Sequence, residues 1–147
     1  MALHSEIKAT GQLSIIKTNE AGIITDKVFV PNLVVTVGKE FIASRIASNT
    51  DSVMTYMACG SSSAAPDIGD LALQNELGRT ALTTTTVTNN TVTYTATFAA
   101  GNATGAIQEA GLFNDATAGS MLARTTFNVI NKDIADLITI TWVITVS

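Results

Sequence analysis

Alternation with a period of two runs through most of this chain. In residues 137–146 (LITITWVITV), Ile138, Ile140, Trp142, Ile144 and Val146 fall on one side of an extended backbone, and Thr139, Thr141, Val143 and Thr145 on the other. Successive strand side chains point to opposite faces, so this segment predicts a central strand with Trp142 in the core. Similar strand character appears at 12–18, 23–30, 33–37, 53–60, 106–113 and 120–127. The stretch NEAG at 19–22 predicts the turn of a first hairpin, and Pro31-Asn32 interrupts the pattern before 33–37 resumes it.

Residues 81–100 (ALTTTTVTNNTVTYTATFAA) hold nine threonines and no charged side chain. Asn tolerates positive φ better than any residue except Gly, so Asn89-Asn90 is the expected two-residue turn. The register that follows pairs Thr88 with Thr91, Val87 with Val92, Thr85 with Tyr94, Thr83 with Ala96 and Ala81 with Phe98. One face then carries Val87, Val92, Tyr94, Ala96 and Phe98; the other carries only threonines. A disordered tract has no reason to sort in this way, so the segment predicts a hairpin with Tyr94 and Phe98 in the core.

One helix is expected, at about 38–48 within GKEFIASRIASN, with Phe41, Ile42 and Ile46 on a common side. Residues 61–70 (SSSAAPDIGD) form the longest predicted loop, a plausible contact or reach-over element. Residues 1–11 are weakly patterned and read as an N-terminal arm, leaving 12–147 as a single domain. Seven to nine short strands with one helix indicate an all-β fold, an antiparallel β-sandwich of jelly-roll-like type.

Composition narrows the function. The 147 residues are 46% hydrophobic but only 14% charged, against about 25% charged for an average soluble domain. A surface made of Thr, Ser, Asn, Ala and Gly is cheaply covered by neighbouring subunits, which favours a homo-oligomer or assembly subunit. Eight Lys and Arg against twelve Asp and Glu leave a net charge of -4. The lysines are scattered, so no nucleic-acid footprint is expected. No apolar run approaches the roughly 20 residues that cross a bilayer, and MALHSEIK lacks the cationic start of a signal peptide. The expectation is no membrane association and assembly in a cytoplasm.

Candidate chemistry is sparse. His4 is the only histidine and Cys59 the only cysteine, so a nucleophilic triad would have to draw on His4 and no intrachain disulfide is possible. Asp67, Asp70 and Glu76 lack the spacing of a calcium loop. Glu76 and Glu109 are the only carboxylates that suggest a glycosidase pair, and nothing in the sequence places them across a cleft. No catalytic, cofactor or metal residue is assigned, and a non-enzymatic role is expected. Arg79 and Arg124 stand beside apolar residues in strand-like segments, so with Glu76 and Glu109 they are candidates for structural or intersubunit ion pairs. The threonine face suits water or another subunit.

Several segments carry a resemblance: NLVVTVGKEFIASRI (32–46), MACGSSSAAPDIGD (57–70), LALQNELGR (71–79), IQEAGLFN (107–114), AGSMLARTTF (118–127) and DLITITWVITVS (136–147). In order and spacing they resemble a group of small tailed-bacteriophage virion structural proteins. The resemblance implies a non-enzymatic protein located in the virion and assembled in the host cytoplasm. The role it suggests first is a capsid cement or decoration protein, a homotrimer seated on the major capsid protein. The alternatives it leaves are a tail, fibre or baseplate module and a carbohydrate-binding host-recognition domain.

Overall fold

A computed structural model describes residues 6–48 and 50–147. The expected arm position His4 lies outside the described residues. Nine strands and one helix follow one another: β1 (Ala9–Thr18), β2 (Ile24–Val34), α1 (Thr36–Ala47), β3 (Tyr56–Gly60), β4 (Glu76–Ala81), β5 (Thr84–Thr88), β6 (Thr91–Phe98), β7 (Gly105–Phe113), β8 (Met121–Lys132) and β9 (Leu137–Val146). The fold is all-β with one short helix. All strand pairs are antiparallel and join into one sheet, in the order β4-β3-β7-β8-β2-β1-β9-β6-β5. The all-β class with one short helix is as expected from sequence, and the nine strands form a single curled sheet.

The curl is located in β2. Residues up to Asn32 pair with β1, whereas Leu33 and Val34 pair with Arg124 and Ala123 of β8. Proline has no N–H to give a ladder, and here it sits where one strand passes between two sets of neighbours. The interruption at Pro31-Asn32 is therefore a bend within a strand: the segment expected at 23–30 continues through Leu33 and Val34, whereas Thr36 and Val37, expected as strand, open the helix α1. The two halves share one hydrophobic core. Leu13, Ile15, Phe98, Ile138, Ile140 and Trp142 from one half meet Met57, Ile107, Leu112 and Leu122 from the other. Trp142 is fully buried, and its Nε1–H donates to Asn32 Oδ1 at 2.8 Å across the bend. Each such side chain contributes about 1.5–3 kcal/mol by leaving water.

The strand Leu137–Val146 alternates as its sequence predicts, with Ile138, Ile140, Trp142 and Ile144 buried. The first hairpin also forms where expected: Asn19 Oδ1 accepts from the Ala21 and Ile23 amides, and Gly22 takes φ +79°. The strand before it starts at Ala9, earlier than the expected arm allowed, because Ala9–Gly11 find partners in Ile144–Val146 of β9.

Helix α1 departs from the amphipathic reading. Phe41 and Ile42 pack against the core, but Ile46 is 85% exposed and only Gly38 is fully buried. A Cβ at Gly38 would collide with the Leu122 carbonyl of β8. The helix docks by bringing its first turn onto a strand backbone, which glycine permits, rather than by a continuous apolar stripe.

Candidate functional site

The predicted ion-pair residues separate into two clusters. On the edge strand β4, the Arg79 guanidinium meets the Glu76 carboxylate at 2.7 and 3.2 Å. It also donates to the carbonyls of Asp115 and Ala118 and lies 3.8 Å from the Phe113 ring centroid. This arginine ties the 114–120 connection to the sheet edge.

The second cluster is buried. Glu109 on β7 and Arg124 on β8 are fully inaccessible, and Arg124 Nε and Nη2 donate to Glu109 Oε1 at 3.1 and 3.0 Å. Arg124 Nη1 reaches Asp70 Oδ2 at 3.0 Å. Three backbone amides complete the site: Gln74 N donates to Glu109 Oε1 at 2.9 Å, and Ser62 N and Asn75 N donate to Oε2 at 3.1 and 2.8 Å. A Cβ on Gly60 would overlap Asn75 O and the Glu109 carboxylate, so the glycine leaves room for the loop to close over the charge.

The cluster fixes residues 61–75. Thr36 N also donates to Ile68 O, so the loop leans on the start of α1. The expected reach-over loop is thus strapped to its own sheet, with Ile68 and Leu71 left exposed. Asp70, weighed from sequence only as a calcium-loop carboxylate, is the second carboxylate of the arginine. Glu76 and Glu109 are each engaged by their own arginine. Cys59 is buried in β3, and burial pushes its thiol far up. Among the described residues, no group of three or more His, Cys, Asp and Glu is placed to hold a metal.

A broad outer face is the other distinctive feature. The hairpin register is as expected from Thr88↔Thr91 through Thr84↔Thr95, and Asn89 takes φ +53°. Tyr94, Ala96 and Phe98 are buried as expected, and burial raises the Tyr94 phenol above its usual range. Two details differ. Ala81 pairs with Tyr56 in β4–β3 instead of with Phe98, and Val87 is 70% exposed because nothing described packs over β5.

Register extends the threonine row across five strands. One line runs Thr88, Thr91, Thr145, Thr10; the next runs Thr86, Thr93, Val143, Gln12, Pro31; a third runs Thr84, Thr95, Thr141, Ser14, Phe29. A fourth runs Thr97, Thr139, Ile16, Lys27, with the two threonine hydroxyls 3.1 Å apart. Lys27 is the sole charge in these four lines. The face grades from hydroxyls at β5, β6 and β9 to an apolar end where Phe29 is 68% exposed.

Phe29 is the residue that sequence reading did not single out. Its signal is present: in TDKVFV, placing Val28 and Val30 inward sends Lys27 and Phe29 outward. Strand spacing of about 4.8 Å and a rise of about 3.4 Å per residue make the face roughly 20 Å by 20 Å, on the order of 400 Å². That is about half of what one partner contributes to a standard interface.

No family model, curated protein or solved structure matches this chain.

Proposed function

We propose that this chain is a non-enzymatic structural subunit of a tailed-phage virion, a cement or decoration protein that binds the major capsid protein and stabilises the head. The observation that carries this reading is the five-strand outer face, almost free of charge and edged by an exposed phenylalanine. Desolvating hydroxyls and aliphatic groups costs far less than desolvating charges. An aromatic residue beside a polar sheet suits a contact in which Phe29 is the anchor and the threonines complete the fit. A face of this size gives a weak single contact, and a repeated lattice converts weak contacts into firm attachment, most simply when copies are held together as a homotrimer. The sequence resemblance to tailed-phage virion proteins supplies the context.

The test is co-sedimentation of the purified protein with heads that lack it. Phe29→Ser and Thr141→Glu lie on the face, outside the core and both ion-pair clusters. Each is expected to reduce binding at least tenfold while shifting Tm by no more than a degree or two. Binding to tails alone would move the chain to a tail, fibre or baseplate role. Glycan binding that these substitutions abolish would make the face a host-recognition surface.

A further inference from the structure

The two ends of the sheet differ sharply. Edge strand β4 is guarded: it carries Glu76 and Arg79, its ladder with β3 is irregular at Cys59/Gly60, and Asn102 Nδ2 donates to the Arg79 carbonyl. Edge strand β5 has none of these devices. Its sequence is TTTVT, all five residues are exposed, and among the described residues it pairs with β6 alone. Among the described residues, the only side-chain hydrogen bond to its main chain is that of Thr91 Oγ1 to Thr88 O, inside the turn. Natural sheets block an open edge with charge, proline, a bulge or a covering segment, since unpaired N–H and C=O groups recruit another strand.

We infer that β5 is a pairing edge whose partner is β5 of a second copy of this chain. In a two-residue hairpin the residues flanking the turn exchange hydrogen bonds, so the main chains of Thr88, Thr86 and Thr84 are committed to β6. Those of Thr85 and Val87 point outward. A two-fold axis at Thr86 sets Thr85 opposite Val87 of the partner subunit, and the reciprocal pair forms four hydrogen bonds.

Each resulting pair is compatible: Thr86 meets its own copy, Thr84 meets Thr88, and the exposed Val87 lies beside a threonine methyl. No charge is brought together, because residues 80–108 contain none in a chain of net charge -4. The axis is perpendicular to the sheet, so both threonine faces lie on the same side. The joined face spans ten strands and about 800 Å², the size one partner brings to a standard interface. The edge pairing rests on β5 alone and stands whether or not the virion role does. Being two-fold, it joins two trimers where the chain is trimeric.

The test uses the full chain. Thr86→Cys places a cysteine opposite itself in a non-hydrogen-bonded pair, where the Cβ atoms of facing residues are about 4.5–5.5 Å apart, near disulfide reach. Air oxidation is expected to give a covalent dimer on a non-reducing gel, while Thr88→Cys, which faces Thr84, gives none. Native Cys59 is buried and does not compete. By sedimentation equilibrium, Val87→Lys is expected to weaken association at least tenfold with unchanged circular dichroism, and Leu77→Lys on the guarded edge to leave it intact. A wild-type protein that shows no two-fold association at any concentration would overturn the inference. So would equal cross-linking of both cysteine variants, or association indifferent to Val87→Lys.

Discussion

Replacing Glu109 by Gln keeps the side-chain shape and removes one charge. The carboxylate accepts five hydrogen bonds, three on Oε1 and two on Oε2. A glutamine that keeps its carbonyl at the Oε1 position turns an NH2 toward the Ser62 and Asn75 amides, leaving two half-buried donors facing a donor. An orphaned group costs about 1–3 kcal/mol when fully buried, and less at these half-buried amides. Arg124, fully buried, retains only Asp70 as counter-charge, and breaking a buried pair from one side costs about 3–5 kcal/mol. These losses overlap, so the expected destabilisation is about 3–5 kcal/mol and the Tm falls by on the order of 10 °C for a chain of this size. Calorimetry and urea titration measure it, and hydrogen exchange should show lost protection at the Ser62, Gln74 and Asn75 amides. Adding Arg124→Met to Glu109→Gln removes the stranded charge, so the double variant should lose less than the sum of the singles. A Glu109→Gln protein melting within a degree or two of wild type, or strict additivity in the double variant, would refute the argument.

Trp142→Ala opens a cavity beneath the strand bend and strands Asn32 Oδ1; a loss of about 3–5 kcal/mol is expected in chemical denaturation. Gly38→Ala gains up to about 1 kcal/mol of helix propensity but drives a methyl into the Leu122 carbonyl, so a net loss of about 1–2 kcal/mol should appear in a thermal melt. Lys132 is buried on β8 and donates to the Ala99 carbonyl at 3.0 Å. Burial lowers its ammonium below the usual lysine range, opposed by the nearby Asp136 and Cys59. The unfolded chain therefore binds more protons between the lowered value and about 10.4, and this site's contribution to stability rises as pH climbs through that window. Lys132→Met should remove that rise, so its Tm relative to wild type falls from pH 8 to pH 10; a difference constant across that range would contradict the lysine's depressed value. The comparison with wild type cancels the opposite trends from Cys59 and Tyr94, whose thiol and phenol are raised by burial and so lose stability as the unfolded chain ionises.

Much of the β structure was legible because a period of two is a local signal. The hairpin about Asn89-Asn90 and the alternation of β9 follow from side-chain type alone. What sequence missed depends on distant residues. Ala81 was expected opposite Phe98, but after Ala81 the chain crosses from edge strand β4 to edge strand β5, and no local pattern marks that crossing. Arg79 and Arg124 were legible as paired cations since charge beside apolar strand residues needs a partner. Asp70 was not, because its role depends on a loop folding back 54 residues away in sequence from Arg124. Ile46 shows the reverse error: helical spacing placed it on an apolar side, yet the helix docks through Gly38 and leaves that end in solvent.

The central claim is that the hydroxyl-rich outer face with Phe29 is a subunit contact in a virion. Cryo-electron microscopy of the parent particle tests it most directly. Density for this fold is expected to repeat over the icosahedral shell, with the β5-β6-β9-β1-β2 face and Phe29 against the major capsid protein. Density confined to the tail, or a shell-bound copy whose threonine face points to solvent, would contradict it.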